Sequence, residues 1–163
     1  MGTTPLGFTY PPATGVAPAG HTQMQTLAED VDDYLSAAWT AYTPTWTNVT
    51  VGNGTVLARY GEIGKWVQAS ITLTLGSTSS VGSGGVYLSL PVTLATGATV
   101  TNSVLGSCGF QDSSAGAWRA GAAFRNGSNA RLIMADGTNL SATAPWTWAT
   151  GDLISVLLAF ERA

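Results

Sequence analysis

Charge is what this chain has least of. Of its 163 residues only 9% are Asp, Glu, Lys or Arg, against roughly 25% in ordinary soluble domains. The formal net charge is -3, and the six basic residues are scattered with no run among them. A surface that binds a polyanion needs clustered Lys and Arg to displace counterions, so nucleic acid is not an expected partner. There is one cysteine, Cys108, which excludes an intrachain disulfide. There is also one histidine, His21. With no acidic neighbour in sequence it makes neither a protein zinc site nor a triad, and it reads as a hinge or cap residue. The longest apolar run, residues 153–160, contains Ser155 and falls far short of the about 20 residues that span a bilayer. No positive start followed by an apolar core opens the chain. The expectation is a protein made in the cytoplasm, without a signal peptide and without membrane insertion.

What is present is apolar and weakly polar. Hydrophobic residues make up 45% of the chain, enough for a real core. The wet surface is left to Ser, Thr, Asn and Gly, or else much of it is buried between subunits. The clearest pattern lies in residues 65–75, KWVQASITLTL. Val67, Ala69, Ile71, Leu73 and Leu75 share one parity, and Gln68, Ser70, Thr72 and Thr74 the other. Successive side chains of a strand point to opposite faces, so one face is buried and one is wet. Trp66 is the large apolar exception on the wet parity.

Residues 1–20 hold four prolines and four glycines, a density that no helix or paired strand survives. Leu6, Phe8, Tyr10 and Val16 are costly to leave exposed. An extended arm that docks on a partner explains both features, whereas a disordered tail explains only the first. Thr22 and Gln25 form a capping box, and the spacing predicts a helix from Gln23 to about Trp39. Met24, Leu27, Val31, Tyr34 and Ala38 follow 3-4-3-4 spacing, the seam of a coiled coil. Such a helix either packs on its own domain or forms a collar (residues 21–40) between identical subunits.

Residues 41–163 read as an all-β domain, an antiparallel jelly-roll-like sandwich of about eight strands. One strand is expected over residues 42–51, pushed to an edge by Pro44. Others follow at 55–63, 65–75, 86–90, 101–111, 117–125, 130–135 and 153–161. In the fifth, Val104, Cys108 and Phe110 share the core parity. In the sixth, Trp118, Ala120, Ala122 and Phe124 point inward. Residues 76–85, GSTSSVGSGG, read as a flexible loop.

The search for chemistry finds no catalytic or metal-binding set and implies no cofactor. Residues 61–66, GEIGKW, have neither the glycine spacing nor the Ser or Thr of a phosphate loop. The carboxylates Glu62, Asp112, Asp136, Asp152 and Glu161 sit mostly at turns or strand ends, where capping is the ordinary job of an aspartate. Asn48, Asn53, Asn126 and Asn139 begin Asn-x-Ser/Thr triplets, which matter only in a eukaryotic secretory pathway. Six tryptophans are many for this length. Trp66, Trp146 and Trp148, with Trp46, form either a sugar-stacking platform or plugs for the ends of the sandwich and a subunit interface.

Several blocks occurring in order carry a resemblance over residues 41–163. They are Tyr42-Thr43-Pro44-Thr45-Trp46, Gly52-Asn53-Gly54-Thr55, Arg59-Tyr60, Ile63-Gly64-Lys65, Leu73-Thr74-Leu75-Gly76-Ser77-Thr78, Ser89-Leu90-Pro91-Val92, Pro145-Trp146-Thr147-Trp148-Ala149-Thr150-Gly151-Asp152 and Phe160-Glu161-Arg162. In these the chain resembles bacteriophage virion proteins common in phages of actinobacteria, labelled minor tail, tail fibre or head fibre proteins. The arm and its Leu-Ala-Glu-Asp-Val-Asp helix are also similar to phage fibre N-termini. Trp146 stands where the family leads one to expect Phe. The resemblance implies a non-enzymatic, homotrimeric component of the virion surface, attached through its arm to phage capsid or tail proteins. A host cell-surface glycan is the alternative partner, met by the loops and the tryptophans.

Overall fold

The structure is a computed structural model, and it describes residues 2–3, 9–10, 20–35, 38–95 and 103–163. The chain divides into two compact units, Met1–Ala38 with Glu62–Gly64, and Trp39–Gly61 with Lys65–Ala163.

In the first unit β1 (Gly2–Thr3) pairs antiparallel with β2 (Thr9–Tyr10), Gly2 opposite Tyr10 and Thr3 opposite Thr9. This corrects the expectation that residues 1–20 hold no paired strand. Pro5 falls between the paired segments and Pro11 after them, so no ladder bond is asked of a proline. α1 runs Gly20–Leu35. Thr22 therefore lies inside its first turn, not at an N-cap, and Ala38 lies beyond its last residue, outside the helix.

The second unit is built from β3 (Thr40–Ala41), β4 (Trp46–Thr47), β5 (Val49–Thr50), β6 (Thr55–Ile63), β7 (Trp66–Thr74), β8 (Ser80–Val81), β9 (Val86–Ser89), β10 (Val104–Asp112), β11 (Ala117–Asn126), β12 (Asn129–Met134) and β13 (Leu153–Glu161). Nine of them form one antiparallel sheet in the order β3-β6-β7-β13-β10-β11-β12-β9-β4, and β5 pairs with β8 beside it. Among the described residues the chain is mostly β with a single helix, the all-β sandwich expected from the strand pattern.

The topology forces the sheet to curl. Its two outermost strands, β3 and β4, are separated in sequence by only four residues, 42–45. Laid flat, nine strands would span about 38 Å at ~4.8 Å spacing. The chain from Ala41 to Trp46 reaches no more than about 18 Å. The sheet therefore rolls until its two margins nearly meet, and residues 42–45 strap them together. On one side the Tyr42 N–H donates to the Ala58 carbonyl (3.1 Å). On the other the Thr45 N–H donates to Ser89 Oγ (2.9 Å), and the Ser89 N–H donates back to the Thr45 carbonyl (2.9 Å). Pro44, which has no N–H to give, is buried in the middle. The single strand expected over residues 42–51 is thus broken into β4 and β5. The break is at Asn48, which has a left-handed backbone (φ 63°) while its Nδ2 donates to the Gly85 carbonyl (2.6 Å).

Rolling brings the inner faces of the sheet against each other. Across it run rows of paired residues: Ile71–Val156–Cys108–Gly121–Met134, and Leu73–Ile154–Phe110. Val67, Ala69, Ile71, Leu73, Ile154 and Leu158 are completely buried, as the alternation in β7 and β13 dictates.

Two strands differ from expectation. A register shift between Val104 and Gly106 swaps the parity of β10 at its start, so Leu105 is buried and Val104 is 62% exposed. Gly106 sits where the backbone of β13 comes so close that a Cβ would overlap the Leu157 carbonyl oxygen. In β11 the inward parity is Gly121 and Ala123, and Trp118, Ala120, Ala122 and Phe124 point the other way. The reason is space. A Cβ on Gly121 would lie 2.8 Å from Cys108 Sγ and 3.0 Å from Phe110 Cε2. Large neighbours on β10 leave room only for small residues on β11.

Candidate functional site

Trp146 and Trp148 lie together at one end of the sandwich. Their ring centroids are 5.7 Å apart, and Trp148 stands edge-on to the buried Phe110 at 6.3 Å. The Trp148 indole N–H donates to the Ser141 carbonyl (2.9 Å). The Trp146 indole nitrogen is itself buried, so it offers no donor to a ligand. This cluster closes the end of the core. Trp46 also packs against the core from the strand β4. Trp66 is 54% exposed and pairs with Glu161, whereas Phe110 pairs with Ile154 and so lies level with Leu73. About 23 Å of strand separates Trp66 from that level. The tryptophans do not form one sugar-stacking platform.

The same end is locked by a carboxylate. Asp152 is fully buried. Its Oδ1 accepts from the Ser113 N–H (2.9 Å) and the Ser113 hydroxyl (3.3 Å), and its Oδ2 accepts from the Ala149 N–H (2.9 Å). It ties the β10–β11 turn to the loop that enters β13. The exposed carboxylates have the turn-capping roles expected of them. Asp112 accepts from the Ala115 and Ser114 amides and the Ser114 hydroxyl, and Asp136 from the Thr138 amide. These bonds hold both carboxyls below their ordinary pKa range.

The loop 76–85 is not a free recognition loop. Asn53 Oδ1 accepts from the Thr78 N–H and hydroxyl (both 2.9 Å), the Asn53 N–H donates to Thr78 Oγ1 (2.8 Å), and Asn53 Nδ2 donates to Ser77 Oγ (3.0 Å). Ser79 Oγ donates to the Val51 carbonyl. Further on, β8 pairs with β5 and Val81 is buried. A polar, glycine-rich composition reads as flexible, but here the hydroxyls serve as partners for a second loop.

Cys108 is buried and its thiol is pushed up to about 12 by that burial, with its S–H directed at the Ile133 carbonyl. Native protein at mildly alkaline pH is expected to react with a thiol reagent at least about a thousandfold more slowly than unfolded protein. Absorbance of the released chromophore with and without denaturant measures this. Rapid reaction of native protein would show that β10 opens locally. No group of three or more His, Cys, Asp or Glu side chains gathers to hold a metal among the described residues.

Of the arm residues, Leu6, Phe8 and Val16 lie outside the described residues, and Tyr10 is on β2. Within the seam, Leu27 is half-buried and Val31 is 37% exposed on α1, the side chains of Met24 and Tyr34 lie outside those described, and Ala38 is exposed beyond the helix.

Sequence reading missed the outer face of the sheet. Two cross-strand rows cover its middle, Thr72–Ser155–Gly109–Ala120 and Ser70–Leu157–Ser107–Ala122–Ile133. On β7, β13, β10 and β11 this face carries one charged residue, Glu161 at its margin. Leu157 stands 46% exposed in its centre, Trp118 and Val104 flank it, and Leu57 is 71% exposed beside β7. An open groove of about 420 Å³ runs along it between Leu57 and Arg59 on one side and Ser70 and Thr72 on the other. The signal was available in β13. Its apolar run hides Leu157 between Val156 and Leu158, yet strict alternation already places it outward. Comparison with protein-family models, with curated proteins and with solved structures finds no match to the chain.

Proposed function

We propose that this protein is a non-enzymatic structural component of a bacteriophage particle, made in the host cytoplasm and displayed on the virion surface. In this reading it is a homotrimeric protrusion of the capsid-decoration or head-fibre type, held by its N-terminal arm. The observation that carries the reading is where the resemblance falls in the fold. Residues 42–46 are the strap across the sheet margins, 52–55 and 76–78 are the laced loops, and 145–152 end in the buried Asp152. Several of the blocks that carry the resemblance thus fall in residues that close the sandwich, which supports the reading.

Deleting residues 1–20 is expected to leave the β unit folded and to abolish incorporation into particles. Circular dichroism of the truncated protein and immunoblots of purified virions check both parts. Truncated protein at normal occupancy on virions would overturn the docking role of the arm. A second reading, a short tail fibre or minor tail protein that recognises a host glycan, draws on the exposed Trp66 and Trp118. A glycan array separates the two, since a pure decoration protein gives no hits. Copy number per particle separates head from tail.

A further inference from the structure

We propose that the outer face of β7, β13, β10 and β11 is the surface by which copies of this chain pack against one another in the trimer. The proposal rests on the homotrimeric reading above and names the face that would carry it.

The first argument is charge. A surface left to water is ordinarily populated by Lys, Glu, Asp and Arg. Here two full rows across the sheet contain only Ser, Thr, Gly, Ala, Leu and Ile. Depletion of charge in the central patch is the compositional mark of an interface. It also selects the partner. The two central rows, without charge of either sign, offer nothing to steer an oppositely charged surface, but they meet the same rows of neighbouring copies with no like-charge repulsion.

The second argument is shape. Sheets pack face to face about 10 Å apart, which demands short side chains. The small residues of both rows provide that approach. Leu157 supplies the central apolar contact, and Trp118 the large flanking one. The third is area. The four strands β7, β13, β10 and β11, each nine or ten residues long, present roughly 19 Å by 30 Å, or about 570 Å². That is about 70% of the ~800 Å² each partner contributes to a standard stable interface.

The test is the mass of the full chain by light scattering coupled to size exclusion. The wild type is expected at three times 16.7 kDa. Ser107→Arg and Ala122→Arg each place a charge in the middle row and are expected to run at the monomer mass, with wild-type near-ultraviolet circular dichroism. Thr47→Arg, on the exposed side of β4, is expected to stay trimeric. Leu157→Ser removes an outward side chain, takes nothing from the core, and is expected to weaken the trimer at least tenfold. It keeps the proposal testable if an arginine variant fails to fold. A wild-type trimer that survives all three face variants would overturn this face while leaving the trimer reading intact, with assembly moved to α1. A monomeric wild type would overturn both.

Discussion

Ile71→Ala is expected to lower stability by about 2 to 5 kcal/mol, and Thr72→Ala, one residue along, by well under about 1 kcal/mol. Ile71 is completely buried, paired with Val156, in the row that continues through Cys108 to Gly121. Removing its outer carbons leaves a void that close-packed neighbours on three strands cannot collapse to fill. Thr72 points to the opposite face, pairs with Ser155 and borders the open groove. Its loss leaves no hole inside the chain. Thermal and denaturant melts of the two variants supply the comparison. Equal losses would mean that the outer face is as tightly covered as the inner one. The intrachain alternation would then not be what sets the cost at position 72.

Asp152→Ala carries the other large effect. The carboxylate is fully buried and accepts three hydrogen bonds from Ser113 and Ala149. Truncation takes the acceptor from two backbone N–H groups and a hydroxyl that are part-buried around it. A buried donor left without a partner costs about 1 to 3 kcal/mol. The expected loss is therefore about 3 kcal/mol or more. Asp152→Asn is expected to recover only part of it, because one of the two oxygens becomes an NH₂ group and meets a donor. Urea melts followed by tryptophan fluorescence report the loss. A change below about 1 kcal/mol for the alanine variant would show that water enters and satisfies the donors.

The legible parts of this fold are those where local alternation and global burial agree. β7 was readable because it places apolar and polar residues on opposite parities, and β13 because alternation within its apolar run sets Ile154, Val156, Leu158 and Phe160 on one side. β11 was misread because size was taken as a guide to direction. Trp118 and Phe124 look like core residues, but the inner side of β11 faces Cys108 and Phe110 and has space only for Gly121 and Ala123. The shift at the start of β10 was invisible for a related reason. Which of Val104 and Leu105 turns inward depends on the strand opposite, not on the strand itself. The helix was expected to start three residues late, behind a Thr22 cap, and to run too far at its end, since Ala38 and Trp39 continue the apolar spacing past Leu35. The aromatic cluster at Trp146 and Trp148 follows the plugging alternative and not the platform. Their shared location depends on the end of the sandwich to which the loop returns, and nothing local encodes that. The charge-free outer face was present in the sequence as a low charge count, but only strand pairing shows where that neutrality gathers.

The strap at residues 42–45 has a consequence for crowding. At high local concentration an unpaired strand edge invites neighbours to add strands and grow fibrils. In this unit β3 and β4 are each only two residues long, and the same short bridge is tied to β6 and to Ser89 just inside them. The short bridge thereby covers part of the edges of β6 and β9, and a neighbour that adds a strand there first has to displace it.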